Sequence, residues 1–244
     1  MKWLRRRRWR LIVAGLVALA GVGAGGWLFW LPAWRPDLQA EDRYGIDVSA
    51  HQGEIDWGAV ARDDIAFAYL KATEGTDFTD RRFHANWIGS GRAGLKRGAY
   101  HFYSLCSPGE PQARHFLSVA APDPAALPPA VDLELAGNCR SRPQPDALRR
   151  ELGIFLTKVE AAWNRQVLLY LGNDFEREYQ IRDHMDRGLW RARFLRRPDG
   201  NDWVIWQVSG FTRVAGIPGR VDLDVARPCR LDPGPSCPPH QPER

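Results

Sequence analysis

Near the middle of the 244-residue chain lies the stretch Leu127-Pro128-Pro129-Ala130-Val131-Asp132-Leu133-Glu134-Leu135. After the prolines, apolar residues surround the two acids Asp132 and Glu134, and no lysine or arginine occurs within the stretch. A short run that is apolar on both faces is typical of a strand in a parallel sheet. We therefore predict a buried strand that is entered through prolines and carries two acidic side chains.

The two acids of this strand are separated by one residue, and side chains at positions i and i+2 of a strand point to the same face. Carboxylates crowded into a partly dry site repel each other, so one of them keeps its proton near neutral pH. One protonated and one ionised carboxyl group form the pair that general acid catalysis of acetal cleavage requires. The alternative interpretation is a pair of acids on an edge strand that face water.

Strand and helix signals alternate along the first two thirds of the chain. The predicted strands there are 45–49, 65–72, 97–102, 127–135 and 167–171. The predicted helices between them are 55–62, 81–93, 111–120 and 146–163. Three further short strands follow with little helical signal, at 189–192, 204–208 and 221–225. This order predicts an α/β fold, an irregular TIM-like β/α barrel with fewer helices after the fifth strand.

Four acids lie at or near the ends of predicted strands, namely Asp47, Asp132, Glu134 and Asp222. In barrels of this type the working residues come from the strand ends at one mouth. We therefore expect the four acids to converge there as a catalytic cluster. The sequence contains no H-E-x-x-H, no C-x-x-C and no nucleotide-binding fingerprint. We accordingly expect neither a metal nor a cofactor.

The net charge of +5 arises at the N-terminus, where six basic residues lie within residues 1–10. The rest of the chain has 28 basic and 29 acidic residues, which argues against a nucleic-acid-binding protein. Residues 11–31 carry no charge and are long enough to span a bilayer. Basic residues before a span stay cytoplasmic, so the remainder is expected on the periplasmic or extracellular side.

We therefore predict a basic cytoplasmic region at 1–10 and an uncleaved transmembrane signal anchor at 11–31. A linker at 32–43, a catalytic barrel at 44–228 and a Pro-rich tail at 229–244 are expected to follow. The alternative is a signal peptide cleaved after Ala18-Leu19-Ala20, which would release a secreted protein. A buried core helix at 11–31 is a third interpretation, which the basic residues directly before it disfavour.

Six sequence blocks follow one another over residues 44–227. They are Tyr44-Gly45-Ile46-Asp47-Val48-Ser49-Ala50-His51-Gln52-Gly53 with Ile55-Asp56-Trp57, Lys71-Ala72-Thr73-Glu74-Gly75, Gly98-Ala99-Tyr100-His101-Phe102, Val131-Asp132-Leu133-Glu134, Trp206-Gln207-Val208-Ser209, and Gly219-Arg220-Val221-Asp222-Leu223-Asp224. In this order the chain resembles the glycoside hydrolase family 25 lysozymes, the Chalaropsis-type N-acetylmuramidases.

This resemblance implies an irregular β/α barrel that hydrolyses the β-1,4 bond between N-acetylmuramic acid and N-acetylglucosamine. It implies that Glu134 is the general acid. Asp132 would stabilise the 2-acetamido group of the substrate or the charge that develops at the anomeric carbon. Asp47 and Asp222 would line the same pocket and tune the proton affinity of the pair. The implied partner is the glycan strand of peptidoglycan, and we expect the enzyme to be a monomer.

Four further residues are candidates for substrate contact. Tyr100, Tyr170 and Trp206 match wall positions of the family. His51 lies near a strand end and could touch substrate, or it could equally be a structural histidine. The chain also departs from the family pattern at three positions, where it has Arg191 in place of an apolar residue, Phe194 in place of Tyr and Asp224 in place of the commoner Asn.

Four cysteines occur in the part of the chain that we expect to be exported, which favours disulfides and allows three pairings. Cys106 and Cys139 follow two strands that are expected to be neighbours, so the loops that carry them can meet. Cys229 and Cys237 would close a small loop in the tail. We therefore predict the pairs Cys106–Cys139 and Cys229–Cys237.

Two other functions compete with the muramidase. One is a related N-acetylhexosaminidase that acts on chitin-like glycans, and the other is an inactive peptidoglycan-binding module. The presence of all four acids argues against the inactive module, because a binding protein needs no carboxyl group of raised pKa.

Overall fold

The computed structural model describes residues 2–233 and residue 237, with side chains from Trp9 onward. Its strands are β1 (Arg43–Val48), β2 (Ile65–Glu74), β3 (Phe78–Thr79), β4 (Lys96–Phe102), β5 (Ala130–Leu133), β6 (Leu168–Leu171), β7 (Leu189–Ala192), β8 (Trp203–Thr212) and β9 (Val221–Ala226). They form one sheet in the order β1-β9-β8-β7-β6-β5-β4-β2-β3, and the additional pairing of β1 with β2 closes it. All strands except β3 thus form a barrel, which confirms the predicted fold.

The last strand of the barrel runs opposite to the others. Parallel pairing joins β1 to β2, β2 to β4 and each strand from β4 to the next as far as β8. In contrast, β9 is antiparallel to both β8 and β1. The start of β9 therefore lies at the mouth where the parallel strands end. This reversal, which the sequence analysis did not foresee, brings Asp222 to that mouth from the beginning of its strand.

The helices lie outside the barrel. They are α3 (Trp57–Arg62), α4 (Phe83–Arg92), α5 (Gly109–Val119), α6 (Pro145–Trp163), α7 (Asn173–Tyr179) and α8 (Pro228–Leu231), with short 3₁₀ turns at Ala50–Gln52 and Ile181–Asp183. Helix α7 was not predicted. It is short and polar, and only Phe175 and Tyr179 of its residues are buried, so its apolar periodicity is weak.

Two apolar layers hold the barrel together. Outside it, Phe116 of α5 and Phe155 and Trp163 of α6 pack against the strands as part of the larger core. Inside the barrel, the aromatic rings of Phe67 and Tyr69 belong to a second apolar cluster. Glycines on the neighbouring strands make room for these rings. A Cβ added at Gly45 would lie 2.2 Å from the Phe67 ring, and one at Gly98 would lie 2.3 Å from that of Tyr69.

His101, which belongs to one of the family-like blocks, has a structural position. It is fully buried, its Nδ1 lies 2.8 Å from Thr73 Oγ1, and its Nε2 lies 3.1 Å from Gln112 Oε1. Its ring stacks on Phe155 at a centroid distance of 5.0 Å. Burial lowers the pKa of His101 to about 3, so the ring stays neutral.

The N-terminal region is a long apolar helix. It comprises α1 (Lys2–Gly25), a π-helical turn at Gly26–Trp30 and α2 (Leu31–Ala33). Within Trp9–Ala33, the most apolar 18-residue window has a mean hydropathy of 2.0, and none of that window is buried inside the protein. By length and composition this segment fits either a membrane span or a signal sequence.

The segment 32–43, which we predicted to be a linker, makes several contacts with the barrel. The backbone N–H of Arg213 donates to the carbonyl of Pro32 (2.8 Å), and Arg35 donates to the Asp63 carboxylate (2.7 Å). The Tyr44 hydroxyl donates to the carbonyl of Pro36, which is itself buried. These contacts dock the segment onto the barrel, and they involve residues far apart in sequence that local composition cannot reveal.

The structure contains the two disulfides expected from the sequence. Cys106 in the β4–α5 loop pairs with Cys139 in the β5–α6 loop, with Cα atoms 6.1 Å apart. Cys229 pairs with Cys237, with Cα atoms 5.3 Å apart. The first disulfide ties together two loops at the mouth of the barrel. Most of the predicted Pro-rich tail lies outside the described residues.

Loss of the first disulfide should destabilise the protein. The bond closes a loop with a sequence separation of 33 residues, and the chain-entropy model gives roughly 3 to 4 kcal/mol for a loop of about that length. We expect a Cys106→Ser/Cys139→Ser variant to have a free energy of unfolding that is lower by this amount, measured in a denaturant melt. Peptide mapping without reduction should recover the Cys106–Cys139 peptide, and a Cys106–Cys229 peptide would contradict the assignment.

The docked segment should contribute measurably to the stability of the barrel. We expect a protein lacking residues 1–30 to fold, because it keeps Pro32, Arg35 and Pro36. Removal of residues 1–37 should lower the free energy of unfolding by a further 1 to 3 kcal/mol, roughly, since the charged hydrogen bonds of Arg35 are lost. Denaturant melts of the two truncations measure the difference. Arg35→Ala in the longer protein is the matched control, and equal stability of both truncations would show that the segment is a passive linker.

Candidate active site

The four acids expected at the mouth of the barrel line one cleft of about 700 Å³. Asp47 comes from the end of β1, Asp132 from β5, Glu134 from the position just after β5, and Asp222 from the start of β9. The pairing of β1 with β9 sets Asp47 directly opposite Asp222. Parallel and antiparallel strands thus bring acids that are distant in sequence to one surface.

The strand β5 is shorter than predicted but presents its acids as expected. Val131 and Leu133 point into the outer core, whereas Asp132 and Glu134 line the cleft. The backbone after the strand is held in place because Asn138 Nδ2 donates to the carbonyl of Glu134 (3.0 Å). Gly172 packs against Glu134, and a Cβ added at this glycine would lie 3.0 Å from the Glu134 Cβ.

Asp132 lies deep in the cleft in an acidic environment. Burial raises the pKa of Asp132 well above its usual range, and the negative charge of Glu134 raises it further. Its Oδ1 atom is buried and has no hydrogen-bond partner among the described residues. A buried carboxylate oxygen without a partner is costly, and a donor group on a bound ligand would relieve that cost.

Glu134 is the half-buried acid of the pair. Burial raises its pKa to about 7, with further contributions from the charges of Asp174 and Asp222, while Lys71 acts in the opposite direction. The sequence analysis expected the repulsion to come from its strand neighbour Asp132. The charge of Glu134 raises the pKa of Asp132, and the pKa of Glu134 is raised by its burial and by Asp174, an acid at the start of α7.

Asp47 is held by a hydrogen-bonded chain across the barrel. Gln207 Nε2 donates to Asp47 Oδ2 (3.0 Å), and the Tyr170 hydroxyl donates to Gln207 Oε1 (3.1 Å). Burial and the charge of Asp222 raise the pKa of Asp47 well above its usual range. Burial likewise raises the pKa of Asp222 to about 6. Both acids therefore hold their protons to a higher pH than exposed aspartates do.

A fifth acid, Asp224, lies beneath the cleft and is fully buried. Its Oδ1 accepts a hydrogen bond from Trp190 Nε1 (3.0 Å). Burial, followed by the charges of Asp47 and Asp222, raises its pKa well above the usual range and so favours the protonated carboxyl, a form that can donate to Asp47. A neutral carboxyl group offers one donor and one acceptor, much as the commoner Asn would. A protonated acid at this position can therefore make the hydrogen bonds that an Asn would make.

Three of the four predicted substrate-contacting residues line the cleft, namely Tyr100, Tyr170 and His51. Trp206 does not. It is 1% exposed, belongs to the outer core, and donates its indole N–H to the carbonyl of Arg193 (2.7 Å). Successive side chains of a strand point to opposite faces, so Gln207 faces the cleft and Trp206 faces away. The predicted wall position of Trp206 is therefore wrong.

Several cleft residues were missed by the sequence analysis, among them Lys71, Glu74, Trp190, Phe194 and Gln207. Lys71 Nζ lies 2.7 Å from Glu74 Oε2 and 4.8 Å from the centre of the Phe102 ring. It supplies a positive charge that opposes the raised pKa of both Asp132 and Glu134. Lys71 and Glu74 lie in one of the family-like blocks, which was the available signal.

The site is suited to proton transfer. Within the described part of the chain, no group of three or more His, Cys, Asp or Glu side chains could hold a metal ion. The cleft instead offers an acid that titrates near neutral pH, a buried carboxylate beside it, and tyrosine hydroxyls on the wall. Such an arrangement can protonate a leaving oxygen and stabilise the positive charge that follows.

Comparisons with known proteins agree with this geometry. The family model "Glycosyl hydrolases family 25" matches residues 46–217. Protein YegX of Escherichia coli (strain K12) is 35% identical over 190 residues, or 75% of this chain and 68% of YegX. Lysozyme M1 of Streptomyces globisporus is 33% identical over 192 residues, or 73% of this chain and 65% of that protein.

A solved structure supports the same assignment. The family 25 glycosyl hydrolase from Bacillus anthracis superposes with a TM-score of 0.72 at 30% identity, covering 78% of this chain and 91% of that one. The barrel, the acidic cleft and the sequence similarity thus lead to one conclusion. The chain is a glycoside hydrolase and belongs to glycosyl hydrolases family 25.

Proposed function

We propose that this enzyme is a 1,4-β-N-acetylmuramidase, which cleaves peptidoglycan between N-acetylmuramic acid and N-acetylglucosamine. The observation that carries the proposal is the pairing of two different carboxyl groups in one cleft. Glu134 has a pKa of about 7, and its neighbour Asp132 has a buried oxygen without a partner among the described residues. The first is suited to give up a proton, and the second to accept a hydrogen bond from substrate.

In the proposed reaction, Glu134 donates its proton to the glycosidic oxygen as the bond from that oxygen to the anomeric carbon breaks. Asp132 accepts a hydrogen bond from the N–H of the 2-acetamido group. This contact directs the acetamido carbonyl oxygen toward the anomeric carbon, where positive charge develops. Water then attacks the anomeric carbon, and the ionised Glu134 takes the proton that the water releases. Asp47 and Asp222 adjust the proton affinity of the pair from the opposite wall.

We further propose that the N-terminal helix is retained as a membrane anchor with the cleft on the far side of the membrane from the basic N-terminus. Cleavage after Ala20 would leave a stub with exposed Trp27, Phe29 and Trp30. Such an apolar surface is unfavourable in water but suits the outer interface of a bilayer, where tryptophan is enriched. The glycan strands of peptidoglycan outside the membrane are then the expected substrate.

Digestion of purified cell walls tests the reaction. We expect turbidity to fall and the new reducing ends to be muramic acid. Glucosamine ends would instead indicate the chitin-type specificity, and binding without products would indicate a binding module. The matched control is Glu134→Gln, which keeps the shape but not the transferable proton. We expect this variant to lose about 10² to 10⁴ in rate while it still binds walls.

The roles of Glu134 and Asp132 can be distinguished with a substrate whose leaving group needs little protonation. The aryloxide of an aryl glycoside of N-acetylmuramic acid departs with little need for a proton, so this substrate should partly restore turnover by Glu134→Gln. Asp132→Asn should remain impaired on the same substrate, because the acetamido N–H loses its charged acceptor. Equal rescue of both variants would show that Asp132 does not act on the acetamido group.

The pH–rate profile should report the charge of Asp174. Activity is expected to fall as pH rises through the Glu134 pKa of about 7, since the acid must be protonated. Asp174→Asn removes a negative charge that raises this pKa, so the alkaline limb should move to lower pH. The variant can still accept the hydrogen bond from the N–H of Phe175.

Asp183→Asn is the control for this shift. Asp183 is another exposed acid just beyond α7, and its charge does not contribute to the raised pKa of Glu134. Its profile should be unchanged. An unmoved limb in Asp174→Asn at low ionic strength, where screening is weak, would show that Asp174 and Glu134 are not coupled.

A further inference from the structure

We propose that the rim of the cleft formed by Phe194, Leu195 and Phe211 contacts the outer lipid surface beside the N-terminal helix. The cleft would thereby be held at the membrane surface and act on the glycan strands that lie there. This inference rests on the proposed membrane anchor and specifies how the anchored enzyme is oriented. The occupant of the rim is the lipid bilayer itself.

A continuous row of aromatic rings joins the cleft to the helix. Phe194 lines the cleft and is 61% exposed. Its ring stacks on Phe211 with an interplanar angle of 4° and a centroid distance of 6.2 Å. Phe211 in turn lies 5.9 Å from Trp27 of the apolar helix. The rim is therefore continuous with the surface that the anchor presents to lipid.

The rim also lies next to the acids. Gly210 separates the aromatic rim from the catalytic cluster, because a Cβ added at this glycine would lie 3.0 Å from Asp222 Oδ1 and 4.0 Å from Phe194. No side chain intervenes at this position. Contact of the rim with lipid would therefore bring the acid cluster itself close to the membrane surface.

The end of the helix is fixed to the barrel rather than tethered by a flexible segment. Pro32 accepts from the N–H of Arg213, just beyond β8. The carboxylate of Asp63 accepts from both Arg35 (2.7 Å) and the N–H of Ala215 (2.8 Å). Asp63 thus ties the end of the helix to the β8–β9 connection, so the orientation of the barrel follows from that of the helix.

The depth of the rim fits the interfacial layer. Trp27 precedes Ala33, the end of the candidate span, by about 9 Å at 1.5 Å per residue. Phe211, which contacts Trp27, therefore lies near the level where the apolar core of the bilayer gives way to head groups. Aromatic side chains favour this level. Arg213 and Arg220 are exposed on the same connection and could pair with lipid phosphates.

A fluorescent probe at the rim tests the orientation in the full-length protein. The protein would be reconstituted in vesicles of phosphatidylethanolamine and phosphatidylglycerol, with an environment-sensitive dye on Leu195→Cys. Leu195 is 39% exposed, and Phe194 and Phe211 stay intact in this variant. We expect quenching by lipids that carry a quencher near the head group. The matched control is Ile154→Cys on α6, which is 45% exposed and should not be quenched.

Flotation of the vesicles distinguishes a failure of the membrane anchor from a failure of the lipid contact of the rim. If the protein floats and the Leu195 probe is no more quenched than the Ile154 probe, the anchor holds and the lipid contact of the rim is refuted. If the protein does not float, the anchor itself fails and this inference fails with it. In the floating protein, Phe211→Ser should abolish quenching at Leu195, because it removes the ring between Phe194 and Trp27. Unchanged quenching in that variant would refute the aromatic row as the cause.

Discussion

The pairing of β1 with β2 on one side and with β9 on the other closes the barrel, and the catalytic geometry depends on it. The register places Asp47 opposite Asp222 and opposite Tyr69. A slip of one residue would turn Asp47 away from the cleft, because alternate side chains of a strand point to opposite faces. Gly45 and Gly98 permit this closure, since the Phe67 and Tyr69 rings occupy the space that their side chains would need.

Much of this arrangement could be predicted from the sequence, because strands with apolar runs and acids at their ends are local features. The errors concern relations that are not local. Trp206 and Gln207 are adjacent in a strand buried on both faces, so composition did not reveal which one faces the cleft. The reversal of β9 and the influence of Asp174 on Glu134 depend on contacts across the barrel. The docking of residues 32–43 depends on Asp63 and Arg213, which no pattern within that segment indicates.

Asp224 is an acid in a position where an amide could make the same hydrogen bonds. Asp224 is buried between Trp190 and Asp47, where a charged carboxylate would be strongly disfavoured. Burial, followed by the charges of Asp47 and Asp222, raises the pKa of Asp224 and favours the neutral group, which can donate and accept like an amide. Both the burial of this residue in the fold and the nearby acids therefore favour the neutral form.

The acid cluster also makes folding a proton-uptake reaction. In the unfolded chain these groups have ordinary pKa values of 3.8 for Asp and 4.5 for Glu, whereas folding raises that of Asp222 to about 6 and that of Glu134 to about 7. The folded state binds protons more tightly, so the stability linked to these groups is fully present below about pH 4. It is lost progressively as pH rises through about 6 and 7. At neutral pH the acids of the cleft therefore lower the stability of the folded protein, and a mildly acidic pH restores it.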